Sequence, residues 1–271
     1  MSTLDLIAAV SGDLTPTQRR IAEAALAEPT LLAFGTVSDL AGRVGTSRPS
    51  IVRFATKLGF AGYTDLQEHI RSDLSRRLSR PSERIRSGGG QAAKATIDDA
   101  ITSVFEAVAG DRITELVTPI VRAKSVWVLS GETSQAGAHA LQSGLSMVRP
   151  NVHWLDEHSY GTELSDAAPG DTAVVIDFPR YRKQVTLAAG VLAKAGVTVV
   201  AITDGPLSPL VELAESWSQI KVPAVGPFDS SVPIVTLCEL VVAQVARELQ
   251  DVATDRIDRI EALWDQTETF V

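Results

Sequence analysis

Three short runs beyond residue 120 constrain the fold of the chain more than any other feature: SVWVL at 125–129, TAVVID at 172–177 and TVVAIT at 198–203. Each is apolar at consecutive rather than alternate positions and rich in β-branched residues. Such a strand needs cover on both faces, as in a parallel sheet buried by helices. The segments around them have helical length: 97–122 before the first run, 135–147 after it, and 182–195 between the second and third. Further strands are expected at 152–155 and 219–222, a short helix near 208–215, and two closing helices at 232–250 and 253–267. The alternation predicts a doubly wound α/β domain with a mainly parallel sheet over 97–271. In such a sheet a ligand sits in the crevice beyond the carboxyl ends of the strands.

Residues 1–78 obey the helical period throughout, so the expected class of the whole chain is α + α/β, with an all-helical N-terminal domain. Thr15-Pro16-Thr17-Gln18 offers an N-cap, a first-turn proline and a capping-box partner for a helix that reaches Glu28, before Pro29. Thr36 with Asp39 starts a second helix, whose Val37, Leu40, Ala41 and Val44 form a buried stripe and which Gly45 stops. Ser47 starts a third, with Pro49 in its first turn and Leu58-Gly59-Phe60 at its end. Thr64 with Gln67 repeats the capping box for a fourth helix, to Leu78. Residues 79–96, with a triple glycine and little to bury, read as a linker between the two domains.

Charge separates the two parts again. The net charge is −8, but residues 1–90 hold 12 Lys+Arg against 9 Asp+Glu and residues 91–271 hold 13 against 24. Within 43–86 the count is 10 against 4. A basic block on an acidic protein is expected where one domain meets a polyanion and the other does not. No apolar run approaches the ~18 residues of a membrane span. The N-terminus lacks the basic start of a signal peptide, and the single Cys238 can form no internal disulfide, which fits a reducing cytoplasm.

Two helices joined by Gly45-Thr46-Ser47 have the length and turn of a helix-turn-helix. At 100° per residue, Ile51, Phe54, Ala55 and Leu58 share one side of the third helix, while Ser50, Arg53 and Lys57 share another. Arg53 is the natural reader of a guanine edge in the major groove. Arg43, Thr46, Ser47 and Arg48 around the turn, and Arg71, Arg76 and Arg77 beyond it, are placed to meet phosphates. The alternative is a plain helical bundle with a solvated basic face. The stretch 36–66, TVSDLAGRVGTSRPSIVRFATKLGFAGYTDL, resembles the helix-turn-helix of the MurR/RpiR family of bacterial transcriptional regulators, with SRPSIVRFATKLG at 47–59 its most specific part. In that family a sugar isomerase (SIS) domain follows, and the resemblance spans nearly the whole chain.

The resemblance implies a sugar-phosphate site where hydroxyls meet a helix N-terminus after the first strand, a place where backbone N–H groups and the helix dipole favour an anion. Here that place reads Ser130-Gly131-Glu132-Thr133-Ser134-Gln135, with Ser134 at the position of the first phosphate-binding serine. Ser130, Thr133 and Ser134 are the candidates, and Glu132 opposes an anion. The family's second loop is rich in serine; here 177–183 reads DFPRYRK, so Arg180, Tyr181 and Arg182 stand in for the hydroxyls. Cations there could equally be a solvated loop.

Other signals point nowhere specific. The HWLDEH run at 153–158 has no metal-ligand spacing, and neither a nucleophile elbow nor a phosphate-binding glycine loop occurs. The expectation is therefore a DNA-binding regulator without cofactor or metal. Its partners would be a double-stranded operator and an anionic sugar-derived effector. It would form a homo-oligomer, dimer or tetramer, through helices such as 232–250 and 253–267. The competing class is a sugar-phosphate isomerase using Glu132, Glu157, His158 or Glu163 as base; a nonspecific nucleoid protein is the third.

Overall fold

The computed structural model describes residues 3–27, 31–32, 35–78, 81–86, 93–156, 160–206 and 208–270. Its chain divides into two compact units, Met1–Arg80 and Pro81–Val271. Several residues invoked above lie outside the described ones: Glu28 and Pro29, the triple glycine, Glu157, His158, and the side chains of Arg71, Arg76 and Arg77.

The first unit is helical: α1 Thr3–Val10, α2 Pro16–Ala27, α3 Val37–Val44, α4 Arg48–Lys57 and α5 Tyr63–Leu78. The expected capping boxes form at two starts. Thr15 N–H donates to Gln18 Oε1 at 3.0 Å while Gln18 N–H donates back to Thr15 Oγ1 at 3.3 Å. Thr36 and Asp39 do the same at 2.7 and 3.2 Å. At α5 the expectation fails. Asp65 takes the Ala61 N–H, and Gln67 turns away to donate to the carbonyls of Leu32 and Gly35 at 3.0 and 2.7 Å. A tertiary acceptor has displaced a local one, and the Tyr63 hydroxyl donates to the same two carbonyls at 3.5 and 3.4 Å.

The turn between α3 and α4 is set by Gly45 at φ 67°, with Thr46 N–H closing onto Ala41 C=O at 2.9 Å. Phe60 N–H closes onto Ala55 C=O in the same way after α4. Ile21, Leu32, Leu40, Ile51, Phe54 and Leu66 are wholly buried together, so the stripe read on each helix is the one that packs.

In the second unit, α6 Pro81–Arg86, α7 Ala93–Ala107 and α8 Arg112–Arg122 precede a five-stranded sheet. Its strands are β1 Val126–Ser130, β2 Val152–Trp154, β3 Thr172–Ile176, β4 Thr198–Thr203 and β5 Ser216–Gln219, in the order β2-β1-β3-β4-β5, all parallel. A hairpin of β6 Ala224–Val225 and β7 Phe228–Asp229 lies outside the sheet. The crossover helices are α9 Gln135–Val148, α10 Tyr160–Glu163 and α11 Lys183–Lys194, followed by α12 Val232–Glu248 and α13 Gln250–Gln266.

The consecutive apolar residues do serve two cores. Val126, Val128, Val174, Ile176, Val200 and Ile202 face α8, α9 and α12. Trp127, Leu129, Ala173, Val175, Val199 and Ala201 face α11. On the first side α9 comes so close to α12 that a Cβ on Gly137 would stand 2.2 Å from Ile234.

Four boundaries differ from the sequence expectation. The segment 97–122 is two helices, because Gly110 at φ 65° breaks it. The fifth strand is Ser216–Gln219, not 219–222, since an edge strand needs burial on fewer sides and can read as polar. The helix at 208–215 shrinks to one turn, Val211–Leu213. The linker 79–96 contains α6, whose Arg84 reaches Asp229 at 2.7 Å, and α7 begins inside it.

The turn glycine yields a paired test in denaturant unfolding of the full chain. Gly45→Val places a β-branched residue at φ 67° and is expected to cost about 1–2 kcal/mol. Gly42→Ala, inside α3 with open space around its Cβ, is expected to gain up to about 1 kcal/mol.

Candidate nucleic-acid interface and ligand crevice

On α4 the buried side carries Ile51, Phe54 and Ala55, which leaves Arg48, Pro49, Val52, Arg53, Thr56 and Lys57 outward. The predicted polar face forms, in part as a chain: Ser47 Oγ lies 3.0 Å from Ser50 Oγ, and Arg53 Nη2 donates to Ser50 Oγ at 3.2 Å. This holds the guanidinium along the helix. Ser47 does not cap α4 with its side chain; its carbonyl instead accepts the Ser50 and Ile51 N–H groups at 3.0 and 3.3 Å, and Pro49 has no N–H to satisfy. Lys57 departs from the expected group, because its ammonium donates to the Asp13 carbonyl. Arg43 and Arg48 are exposed and Thr46 half-buried around the turn. Val52 was missed by sequence reasoning. It stands 40% exposed on the outward face, one turn after Arg48 and beside Arg53, and the same 100° projection that found Arg53 would have found it.

In the second unit the strand order reverses direction between β1 and β3, and the loops at their carboxyl ends part there. A cavity of about 260 Å³ lies at this place, walled by Ser130, Glu132, Gln135, Asp156, Tyr160 and Arg182 among others. Of the expected effector residues, the structure brings Ser130 and Arg182 to it. Ser134 is wholly buried in the turn that opens α9. The hydroxyls of Ser130 and Ser134 are both buried, and among the described residues neither has a hydrogen-bond partner. Thr133 is exposed and does not line the cavity. Arg180 is exposed, at φ 75°, and Tyr181 points elsewhere: its hydroxyl donates to Asp204. Burial beside that carboxylate pushes the Tyr181 phenol up from its ordinary value, so it stays protonated.

Asp177 was read from the sequence only as the end of a strand, yet it organises the crevice. It is 2% exposed. Its carboxylate accepts the N–H of Phe178 at 3.0 Å and of Arg182 at 2.8 Å, while Thr203 donates to its carbonyl at 2.9 Å. A Cβ on Gly131 would stand 2.1 Å from Asp177 Oδ1. The acid thus fills the loop that follows β3 and consumes two of its N–H donors, and only glycine fits against it. Desolvation pushes its pKa from the usual 3.8 to about 6, with Asp204 adding to the rise and the two N–H bonds opposing it. Beside it Arg182 is ion-paired with Glu132. No group of three or more His, Cys, Asp or Glu among the described residues is arranged to hold a metal, and no described helix is long and apolar enough to cross a membrane.

Comparison with known proteins agrees with this division. The model of the helix-turn-helix domain of the rpiR family matches residues 1–77, and that of the SIS domain matches 120–244. An uncharacterized HTH-type transcriptional regulator of Caldanaerobacter subterraneus is 24% identical over 218 residues, 78% of this chain and 77% of the relative. The Vibrio vulnificus NanR protein, solved in complex with ManNAc-6P, superposes with a TM-score of 0.59 at 19% identity, covering 97% of this chain and 98% of that one. The sugar isomerase domain of an RpiR transcription factor from Sphaerobacter thermophilus gives 0.59 at 22% identity, over 63% and 96%.

Two outcomes follow from Asp177. Since its native pKa lies above the unfolded one, the native state holds a proton that the unfolded chain has released between about pH 4 and 6. Its contribution to stability is therefore present below that window and lost as pH rises through it, by up to about 3 kcal/mol. The stability difference between wild type and Asp177→Asn, measured by urea unfolding across that range, is expected to show this slope. Gly131→Ala is expected to cost about 1–3 kcal/mol by overpacking, and Asp177→Ala in the same chain to relieve part of it.

Proposed function

We propose that this chain is a transcriptional regulator of the rpiR family, with its helix-turn-helix and SIS domains, in which α4 reads an operator whose affinity is set by a small anionic sugar derivative held at the carboxyl ends of β1 and β3. The observation that carries the effector half is the pair of buried hydroxyls of Ser130, at the end of β1, and Ser134, just before α9, neither of which has a partner among the described residues. Buried donors without partners are costly, and a ligand anion at a helix N-terminus would satisfy them. Arg182 supplies charge at the same place. The sugar phosphate bound by the NanR neighbour supports that ligand class. In this reading Tyr181 serves to hold its loop through Asp204, and Thr133 and Arg180 flank the site.

For the DNA half, Arg53 reads a guanine and Val52 packs on a thymine methyl in the major groove. Arg43, Thr46, Ser47, Arg48 and Ser50 meet the backbone. Lys57 exchanges its carbonyl partner for a phosphate. An operator read by such a helix is two-fold, so the working form is a homo-oligomer built on dimers. The outward Val252 and Leu263 of α13 are available to such an interface. Binding rather than turnover is favoured by the regulator designation of the curated relative. Of the bases an isomerase would need, Glu132 is paired with Arg182, and Glu163 lines a separate depression with Trp127, His153 and Asp166.

The test is binding to the DNA beside the protein's own gene, against random duplex at ~150 mM salt, where phosphate contacts alone are weak. Arg53→Ala is expected to lower operator affinity by about 1–3 kcal/mol and random-duplex affinity much less; equal losses on both would refute base reading. Sugar phosphates, ManNAc-6P among them, are expected to shift operator affinity in the wild type, and Arg182→Gln to blunt that shift while leaving operator binding intact.

A further inference from the structure

The lining of the crevice is wrong for a simple sugar phosphate. Two carboxylates, Glu132 and Asp156, stand in its wall against one guanidinium, Arg182, and Glu132 already neutralises that guanidinium. The donors that the loop after β3 could offer are also partly spent, since Asp177 holds the N–H groups of Phe178 and Arg182. What remains for an anion is the pair of unpartnered hydroxyls of Ser130 and Ser134, the N–H groups opening α9, and Arg182 once it leaves Glu132. An entering phosphate that takes Arg182 leaves the Glu132 carboxylate beside it with no counter-ion, and like charges at that spacing repel.

The conflict disappears if the ligand brings its own cation. From these placements we propose that the effector is zwitterionic: an amino sugar phosphate with a free amine, whose phosphate takes Arg182 and the start of α9 while its ammonium takes Glu132. The proposal rests on the reading of this crevice as the effector site. It assigns Glu132 the role of specificity residue, splitting its ion pair in favour of two pairs with the ligand. Charge-assisted hydrogen bonds on both ends give such a ligand an advantage that neither a neutral sugar nor an acylated amino sugar can match. The N-acetyl group of the ligand named for the NanR neighbour carries no such cation, so the two proteins would differ at this point.

Calorimetric titration of the full chain with glucosamine 6-phosphate, glucose 6-phosphate and N-acetylglucosamine 6-phosphate tests this. The free amine is expected to bind about tenfold or more tightly than either of the others. In Glu132→Gln, an exposed substitution that leaves the fold intact, that preference is expected to shrink to about twofold or less, with the two amine-free or acylated ligands binding more tightly than in the wild type. Equal binding of all three in the wild type would overturn the zwitterion while keeping the crevice as a sugar-phosphate site. Binding of none would overturn both. A preference that survives Glu132→Gln undiminished would remove Glu132 as its cause.

Discussion

A parallel sheet buried on both faces can meet a ligand only at its ends, and the second unit is organised around that restriction. Val126 and Val128 pack one way, Trp127 and Leu129 the other, and β3 and β4 repeat the alternation. Helices occupy both sides, so polar chemistry is expelled to the loops. The strand order then decides which loops part. Because β1 lies between β2 and β3, the chain leaves it in one direction and returns on the other side, and the carboxyl ends open there. Asp171 works at the opposite end, where it takes the Ser125 N–H and the Trp127 indole N–H, each at 3.1 Å, and locks the entry to β1.

Within that opening the local chemistry is dominated by carboxylates. Asp177 makes the loop after β3 self-sufficient by filling it from inside, which explains why the hydroxyl-rich form of that loop is not needed for folding here. Glu132 does the same for the guanidinium of Arg182. The crevice is thus held together by internal substitutes for an anion, while the hydroxyls of Ser130 and Ser134 have no partners among the described residues. Under the proposed function, a ligand has to exchange some of these internal pairs for its own, and the energy of that exchange is what could be coupled to operator binding.

The first unit depends on a different economy. Its helices are short, and their ends are fixed by side-chain and glycine caps, which are local in sequence and therefore readable from it. Thr15 with Gln18, Thr36 with Asp39, and Gly45 after α3 could all be placed without a structure, as could the buried Ile51 and Phe54 of α4. Gln67 and Lys57 could not: one bonds the carbonyls of Leu32 and Gly35, the other that of Asp13, and a partner more than 30 residues away leaves no periodic trace. Val52 was legible in principle, since an apolar residue on an otherwise polar face is itself a signal.

The same distinction holds across the chain. The sequence by itself determined the two-part division, most of the helical caps, the doubly covered parallel strands and the buried and outward faces of α4, because period, β-branching and capping act between residues a few positions apart. It placed the loops 130–135 and 177–183 at the carboxyl ends of β1 and β3 and overestimated the helix at 97–122, where one glycine breaks the pattern. Only the tertiary structure decided that Arg182 faces Glu132, that Tyr181 turns to Asp204, and that the buried Arg149 closes the end of α8 by donating to the carbonyls of Ile120 and Ala123. Asp177 is the clearest instance. Nothing in its neighbours announces that a glycine 46 residues earlier must make room for it. A contact between two adjacent strand ends is fixed by sheet order, which the local pattern does not encode.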